Sequence, residues 1–314
     1  MRFSVTIPAY KSQYLQNAIE SVVSQTYADW ELIIVDDCSP EDLRSIVEPF
    51  LNDQRIRYYR NEKNCGAVNL VDNWNICLGY CTGDYVICIG DDDRLLPECL
   101  NEYRKVIEKY PNMNVYHAWT EIINEQGEVI DLQEPRPEWE SMLSLLWNRW
   151  DCRDWQFIGD FCYDTTFLKS IGGYHKMPLA WGSDDITAVI AAEEKGIANT
   201  QSFCFQYRIN QLTISRSTKN TKLKIQSILM QKEWYSRLLE KQATKKLSST
   251  DLNYLRTIDN KQTKFYQMVL GQICTDYIKG NPIRLIKCCL WLKSFHWSKA
   301  IYLKWYLSSL NSLL

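Results

Sequence analysis

The sequence predicts an α/β protein in which a mainly parallel sheet, flanked by helices on both faces, is followed by a helical C-terminal region. Short apolar segments of strand type alternate with segments whose apolar residues recur at helical spacing, which is typical of a parallel sheet. Beyond about Tyr207 only the helical pattern continues. The 314 residues and the hydrophobic fraction of 46% are enough for one large domain with an appendage. We therefore expect an α/β domain over residues 1–216 and a helical region over residues 217–314.

Two β-α units open the chain. Phe3–Ile7 alternates apolar with polar residues, and a stripe of apolar residues at helical spacing follows from Leu15. A second strand, Trp30–Val35, leads into a helix for which Ser39 is the predicted N-cap, because Pro40 would then occupy the first helical position.

Two more strands follow at similar intervals. Ile56–Arg60 has strand character, and Tyr85–Ile89 is a compact apolar strand that follows a helical stripe beginning at Leu70. After Pro97 another helical stripe extends to Tyr110.

The later part of the chain changes character. Val115–Ala118 is strand-like and leads to a predicted hairpin turn at Asn124–Gly127. A long helix is predicted around Ile225, and we expect helices to dominate from there to Leu314.

Charge is divided unevenly between the two regions. Residues 217–314 contain 17 Lys and Arg and 5 Asp and Glu, a net charge of +12, and the first 216 residues therefore carry −14. A basic, aromatic-rich segment suits anionic lipid, so we expect peripheral membrane contact through residues 217–314. Two alternatives remain for that segment, a helical subdomain packed on the first domain and a homodimer surface. Nucleic acid is not an expected partner.

The cysteines and the apolar segments indicate where the protein works. The 12 cysteines are scattered, no zinc-type pair of Cys-x-x-Cys elements occurs, and no signal peptide precedes the first strand. We expect reduced thiols in the cytoplasm, with activity at the inner face of the cell membrane. No run of about 18 apolar residues predicts a membrane-spanning helix.

Distinctive residues follow three of the predicted strands. Pro8 and Tyr10 end the first strand, Asp36 and Asp37 end the second, and Asp91–Asp93 follow the fourth. In parallel sheets ligands bind beyond the carboxyl ends of the strands. The topology therefore predicts that these residues meet in one crevice.

Three adjacent carboxylates repel one another unless a cation or hydrogen-bond donors compensate their charge. Mg²⁺ and Mn²⁺ favour oxygen ligands and are often held by one or two carboxylates together with substrate phosphates. Asp91, Asp92 and Asp93 are therefore candidates for a metal site. The alternative is an acidic turn that caps the helix after Pro97.

These segments together resemble glycosyltransferase family 2. The resemblance is carried by Ile7-Pro8-Ala9-Tyr10, by Glu31 to Ser39, by Gly83-Asp84-Tyr85 and by Asp91 to Pro97. It covers roughly residues 1–215 and implies a GT-A fold, a nucleotide-sugar donor such as a UDP-sugar, and inversion at the anomeric carbon.

The resemblance also implies roles for individual residues. Pro8 and Tyr10 would lie near the base and ribose, and Asp37 would bind the base. Asp91 would contact the ribose. Asp92 would bind the metal that bridges to the diphosphate, with Asp93 in support. Many relatives have an aspartate where this chain has Gly90, which leaves the register of the motif open. For Asp36 and Asp37 helix capping is the alternative.

An inverting transfer needs a base that deprotonates the acceptor hydroxyl. Gly172-Gly173-Tyr174 and the later Asp184 and Asp185 resemble the family's glycine-aromatic element and its acidic pair. Family spacing favours Asp185 as the base, with Asp184 in the place that usually holds Glu. Either acid is alternatively the N-cap of the helix that follows. Trp181 is a candidate for stacking on an acceptor sugar or for packing.

Arg208 and Asn210 fall where relatives have an aromatic-Arg segment and a metal-binding His. Asn210 would replace that His as a weaker, neutral ligand for Mn²⁺ or Mg²⁺. Arg208 would neutralise diphosphate or pair with a surface acid.

The resemblance thus predicts an inverting glycosyltransferase. It would move sugar from a nucleotide-sugar to a saccharide or lipid-linked saccharide acceptor in surface polysaccharide or glycolipid assembly. Nucleotidyl transfer is less consistent with the sequence, because Ile7–Tyr14 lacks the glycine-rich phosphate loop. A catalytically silent nucleotide-binding or membrane-docking protein of the same fold is the other alternative.

Overall fold

The structure is a computed structural model that describes residues 1–153, 155–210, 218–279 and 281–294. The chain divides into two compact units. The first comprises Met1–Arg149 and Arg153–Asn210, and the second comprises Trp150–Cys152 and Gln211–Leu314. Residues 295–314, on which part of the expected membrane contact depends, lie outside the described residues.

The described part of the first unit contains ten strands, which form one sheet. They are β1 Phe3–Ala9, β2 Trp30–Asp36, β3 Ile56–Arg60, β4 Tyr85–Cys88, β5 Arg94–Leu95, β6 Val115–Ile123, β7 Val129–Leu132, β8 Trp139–Glu140, β9 Phe161–Asp164 and β10 Ile197–Arg208.

The helices of the first unit lie between these strands. They are α1 Leu15–Val23, α2 Leu43–Val47, α3 Leu70–Tyr80, α4 Cys99–Lys109, α5 Met142–Trp150, α6 Thr165–Ser170 and α7 Ser183–Ala192. The last residue of α5 already belongs to the second unit.

The strand order along the sheet is β3-β2-β1-β4-β9-β6-β10-β5, with β7 paired to β6 and β8 paired to β10. The β1-β2, β2-β3, β1-β4 and β6-β10 pairs are parallel and contain most of the paired positions. The predicted α/β fold with a mainly parallel sheet is therefore confirmed. The sequence did not reveal β5, β8 and β9, which are short and pair antiparallel.

The direction of β9 determines where the site can form. β9 is antiparallel to both β4 and β6, so these two strands point the same way. The carboxyl ends of β1, β2, β4, β6 and β10 therefore lie at one edge of the sheet. The central strands are mostly apolar and nearly all of their side chains are buried, including the polar Ser4, Thr6 and Glu31, as expected for parallel strands covered on both faces.

The helix after β2 begins later than predicted. Ser39 is not its N-cap, because α2 starts at Leu43 and Asp42 accepts the Ser45 N–H at 3.2 Å. The main-chain N–H of Ser39 donates to Asp36 at 2.7 Å, and its hydroxyl donates to the Tyr10 carbonyl at 2.6 Å. These bonds hold the segment as a loop at the sheet edge instead of a first helical turn.

The described part of the second unit is helical. It contains α8 Thr221–Ala243, α9 Ser249–Ile278 and α10 Pro282–Ser294, which confirms the long helix predicted around Ile225. Within this unit the ring of Trp150 packs edge-on against Tyr235 at 5.1 Å. None of the helices in the described ranges has the length and apolar character that crossing a membrane requires.

Candidate active site

Asp91 joins the end of β1 to the loop after β4. Its Oδ2 accepts the main-chain N–H of Tyr10 at 2.8 Å and that of Lys11 at 2.7 Å. The structure thus brings together the first and fourth strand ends. The ring of Tyr10 remains 42% exposed, which leaves it accessible to a flat ligand.

Lys11 supplies a cation inside the aspartate cluster. Its Nζ lies 2.6 Å from Asp92 Oδ2 and 3.4 Å from Asp91 Oδ1. Burial by itself would lower the pKa of Lys11, but the charges of Asp91 and Asp92 outweigh that effect and raise the pKa above its usual value. Sequence reasoning missed this residue. Its position directly after Tyr10, at a strand end facing three acids, was the available signal.

Asn210 stands beside the predicted metal ligand. Its Nδ2 donates to Asp92 Oδ2 at 2.7 Å, and the residue is buried. Asn210, which the sequence resemblance places at the family's His position, is therefore in contact with Asp92. The same Asp92 oxygen accepts from both Asn210 and Lys11.

Arg208 organises the loop that carries the aspartates. Its main-chain N–H donates to Asp93 Oδ1 at 2.9 Å, and its Nε donates to the Asp92 carbonyl at 2.8 Å. Its Nη1 donates to the Asn124 carbonyl at 2.9 Å, and the guanidinium lies 4.3 Å from the Tyr14 ring centroid. The expected alternative, pairing with a surface acid, is wrong, since these side-chain bonds go to carbonyls and the residue is buried.

Asp93 is the most enclosed of the three acids. Burial, followed by the charge of Asp92, raises the pKa of Asp93 well above its usual range. Burial also raises the pKa of Asp91, and the nearby Lys11 opposes that rise. The acids do not cap the next helix, because α4 begins at Cys99 with Glu98 as its N-cap residue. The interpretation as a capping turn is therefore wrong.

Asp36 and Asp37 have different partners. Asp36 binds Arg60 and accepts from Tyr58 Oη at 2.7 Å, so it is held inside the sheet. Asp37 Oδ1 accepts from Asn61 Nδ2 and from the Cys65 N–H, both at 2.9 Å. The Cys65 side chain also hydrogen-bonds to the Asp37 carboxylate. Neither acid caps α2, so the capping alternative is wrong for both.

Asp184 and Asp185 lie in the first turn of α7. The N-cap is Gly182, whose φ of 82° lies in the left-handed region that favours glycine, so neither acid is the N-cap. Arg149 holds Asp185 in a two-point ion pair, with Nε–Oδ1 at 3.0 Å and Nη2–Oδ2 at 3.1 Å. Asp184 accepts the Asp185 N–H at 3.0 Å.

The environment of Asp184 favours its protonated form. Burial, followed by the charge of Asp185, raises the pKa of Asp184 to about 8. Arg149 was not anticipated from the sequence, because it lies in a different helix, 36 residues before its partner.

The aspartate cluster suits a metal ion that is coordinated partly by a bound ligand better than an ion that is coordinated by protein side chains alone. In the parts of the chain that the structure describes, no three His, Cys, Asp or Glu side chains surround a common point. Asp92 supplies a single carboxylate, as Mg²⁺ and Mn²⁺ often use when phosphates complete their coordination, and Asn210 faces this carboxylate with its Nδ2. The residues therefore fit an ion that arrives with a phosphorylated ligand.

Comparison with known proteins identifies related sequences and folds. The family model described as glycosyl transferase family 2 matches residues 4–165. A GalNAc(5)-diNAcBac-PP-undecaprenol beta-1,3-glucosyltransferase from Campylobacter jejuni is 34% identical over 102 residues, which cover 32% of this chain and 32% of that protein. The chain thus matches about a third of the length of this curated relative.

Two solved structures share the fold. Residues 1–349 of TarS from S. aureus, in complex with UDP-GlcNAc, align with a TM-score of 0.60 at 16% identity, covering 100% of this chain and 91% of that chain. The mannosyltransferase PcManGT from Pyrobaculum calidifontis, in complex with GDP-Man and Mn²⁺, aligns with a TM-score of 0.51 at 12% identity, covering 100% and 81%. The fold expected from the sequence resemblance is therefore confirmed.

Proposed function

The chain belongs to glycosyl transferase family 2, and from this premise we propose that it transfers a sugar from a UDP-sugar to a saccharide or lipid-linked saccharide acceptor. The observation that carries the proposal is the bonding of Asp91 to the N–H groups of Tyr10 and Lys11. These two bonds place Tyr10, a candidate for nucleotide binding, next to the aspartates that are candidates for binding the metal and the diphosphate. We assign the transfer chemistry to residues 1–216.

The nucleotide would bind across the ends of β1 and β2. Asp37 directly follows β2, and its carboxylate, which Asn61 and the Cys65 N–H hold in place, suits the N–H groups of a base. The exposed ring of Tyr10 can stack on the base, with Pro8 beside it in the strand. Asp91 would accept from the ribose hydroxyls. The neighbour TarS was solved with UDP-GlcNAc, which favours a UDP-sugar for this chain.

The diphosphate would lie against Asp92 and its surroundings. Asp92 would hold Mn²⁺ or Mg²⁺ with Asp93 in support, and the bound ion would neutralise charge on the departing diphosphate. Lys11 and the buried guanidinium of Arg208 add two positive charges to the same edge. PcManGT was solved with Mn²⁺, which supports the same ion here.

The transfer would be a direct displacement. The acceptor hydroxyl gives its proton to Asp185, its oxygen forms the bond to the anomeric carbon, and the bond to the diphosphate oxygen breaks with its electron pair leaving on UDP. The configuration at the anomeric carbon is thereby inverted. Arg149 orients Asp185 for this role, and Asp184 is the second acid of the pair.

The acceptor would be reached at a membrane surface. The C. jejuni relative is named for an acceptor linked to undecaprenol through a diphosphate, which supports a lipid-linked saccharide and glycolipid or polysaccharide assembly. In α10 the side chains of Ile283, Ile286 and Leu290 are each at least 60% exposed. Arg284 and Lys287 lie between them in sequence, a composition that suits the inner, anionic face of a membrane.

Substitution of Asp92 tests the proposal. With UDP-sugars and Mn²⁺ supplied, Asp92→Ala should abolish release of UDP and weaken Mn²⁺-dependent UDP binding measured by calorimetry. Asp84→Ala is the matched control, because Asp84 precedes β4 at the opposite end from the cluster. Full turnover in Asp92→Ala would remove this residue from the mechanism. UDP binding without turnover in the wild-type chain, after acceptors have been screened, would favour a silent protein.

A further inference from the structure

A cavity of about 300 Å³ opens beside the ends of β6 and β10 in the first unit. It is lined by Ile122, Arg149, Trp155, Gln156, Phe157, Tyr207 and Ile209. Because side chains alternate along a strand, Tyr207 and Ile209 face away from Arg208, which is bonded to the aspartate loop. The cavity and the aspartate cluster therefore lie on two sides of the same strand end.

Gln156 is the unusual residue of this cavity. The residue is 6% exposed, and neither Nε2 nor Oε1 has a hydrogen-bonding partner in the described part of the chain. A buried amide without partners is costly and uncommon in folded proteins. An unpaired amide that lines a cavity indicates that a ligand supplies the missing donor and acceptor.

The segment that carries Gln156 is held in place on both sides. The Trp155 carbonyl accepts from Gln133 Nε2 and from Arg136 Nη2, both at 2.6 Å. The Phe157 N–H donates to both carboxylate oxygens of Asp160, at 3.3 and 3.2 Å. The amide is therefore presented by a fixed main chain, as a preorganised binding group is.

Aromatic rings form the rest of the cavity wall. Phe157 and Tyr207 are stacked with ring centroids 4.0 Å apart, and Trp155 is 36% exposed. Flat rings beside a planar amide suit a pyranose, whose C–H face packs on an aromatic ring while its hydroxyls bond to the amide. The volume is at the lower end for small-molecule sites, which have about 300 to 1,000 Å³, so a single ring fits better than an extended chain.

Charge distinguishes a neutral sugar from a nucleotide. Among the described residues that line the cavity, Arg149 is the only basic one, and its guanidinium is already paired with Asp185 at 3.0 and 3.1 Å. An anion would have to displace that carboxylate. A neutral ring leaves the ion pair in place and lies next to the proposed base.

We propose that this cavity binds the terminal sugar ring of the acceptor, with Gln156 and Trp155 as the residues that recognise it. This inference rests on the proposed function, because it is the role of Asp185 that identifies the ring as acceptor. Gln156 bonds to the ring hydroxyls, Trp155 packs on its face, and Arg149 keeps Asp185 beside the hydroxyl that reacts. Trp181, the aromatic residue expected from the sequence to stack on the acceptor, does not line the cavity.

Saturation-transfer NMR on the full chain tests the proposal with two neutral probes, methyl β-D-glucopyranoside and methyl β-D-N-acetylglucosaminide. The wild-type chain should show transfer to at least one ring, and Gln156→Leu and Trp155→Ala should weaken its binding at least fivefold. Gln54→Leu, at an exposed position, is the matched control and should bind as the wild type does. Equal binding by Gln156→Leu and wild type, or no transfer to either probe in the wild type, would overturn the proposal.

A melting curve separates recognition from a structural role. Leucine has nearly the volume of glutamine and removes two unpaired polar atoms, so Gln156→Leu should melt at the same or a higher temperature while losing the glycoside. A lower melting temperature, with glycoside loss that follows the unfolded fraction, would assign Gln156 to structure and overturn the proposal. UDP affinity, measured in parallel, distinguishes failure of the proposed glycosyltransferase function from failure of the proposed saccharide cavity. A chain that binds the glycoside in this cavity but neither binds UDP nor uses a UDP-sugar contradicts the proposed function and not the cavity as a saccharide site.

Discussion

Replacement of Lys11 by methionine should make the aspartate cluster depend on a metal ion. The Lys11 side chain is 30% exposed, and the Asp91 and Asp92 side chains are only 6% and 13% exposed. No other basic side chain in the described residues pairs with either acid. Lys11→Met retains the aliphatic stem but leaves two adjacent carboxylates without a cation in contact.

The expected loss of stability follows from the burial of these groups. Removing one partner of a fully buried ion pair costs about 3–5 kcal/mol, whereas an exposed pair contributes about 0–1 kcal/mol. With a partly exposed ammonium and two nearly buried acids, we expect a loss of about 2 kcal/mol in metal-free buffer. At roughly 2–4 °C per kcal/mol for a unit of this size, the melting temperature should fall by about 4–8 °C.

Manganese should reverse this loss. A divalent ion restores the missing positive charge, and an ion present at about 100 times its Kd stabilises the folded state by about 2.7 kcal/mol. Thermal melts with EDTA and with Mn²⁺ should therefore show a larger gain for Lys11→Met than for the wild type. Calorimetry should show that UDP binding by the variant needs Mn²⁺ more than wild-type binding does.

The exposed Lys222 on α8 provides the control, since Lys222→Met changes the same charge far from the cluster in sequence. If Lys11→Met melts within about 1 °C of the wild type in EDTA and responds equally to Mn²⁺, the ammonium does not stabilise the acids and the argument is refuted.

Two further predictions concern pH and lipid. The folded-state pKa of Asp184 is about 8, above the unfolded value of about 4, so its contribution to stability is present below about pH 4 and is lost as the pH rises to about 8. Asp184→Asn should flatten this decline in thermal melts between pH 5 and pH 8, and an unchanged slope would show that Asp184 does not titrate there. The protein should sediment with vesicles that contain phosphatidylglycerol but not with vesicles of phosphatidylcholine alone, and Ile286→Asp should reduce that binding; equal sedimentation with both lipids would contradict an electrostatic contribution.

The parallel half of the fold could be predicted because its signals are local. Each strand of the β3-β2-β1-β4 series is a short segment of strand character that is followed by a helical stripe, and Ile56–Arg60 was predicted with its observed bounds. The other half is built from strands as short as Arg94–Leu95 and Trp139–Glu140, too short to show a period. Their pairing with β10 depends on residues about 60 to 110 positions away, and no local pattern encodes it.

The sugar-donor side of the candidate site could also be predicted in outline. Parallel strands align their carboxyl ends, so distinctive residues after separate strands had to approach one another, and Tyr10 does contact Asp91. The hydrogen-bonding and ion-pair partners of the individual aspartates could not be predicted from the sequence. Asp36 is bound by Arg60, Asp37 is bound by Asn61 and Cys65, and Asp42 caps α2 in place of Ser39, all of which depend on how one loop closes. The sequence shows that Lys11 is basic, but it does not show that the side chain pairs with Asp92.

The residues of the proposed acceptor cavity could not be predicted, because no sequence motif identifies them. Arg149 comes from α5, Gln156 from the loop after it and Tyr207 from β10, and each has an ordinary role as a surface or packing residue when considered alone. Gln156 is distinguished by a buried amide that has no partner within the described ranges, a property that exists only once the chain has folded. The proposed catalytic edge is formed by strand ends, whereas Trp155 and Gln156 of the proposed acceptor cavity lie in a loop, so substitutions at these two residues should leave the bonds of Asp91 to β1 unchanged. Acceptor choice in this chain should therefore be altered first by changes at Trp155 and Gln156, and sugar-donor choice by changes near Asp37.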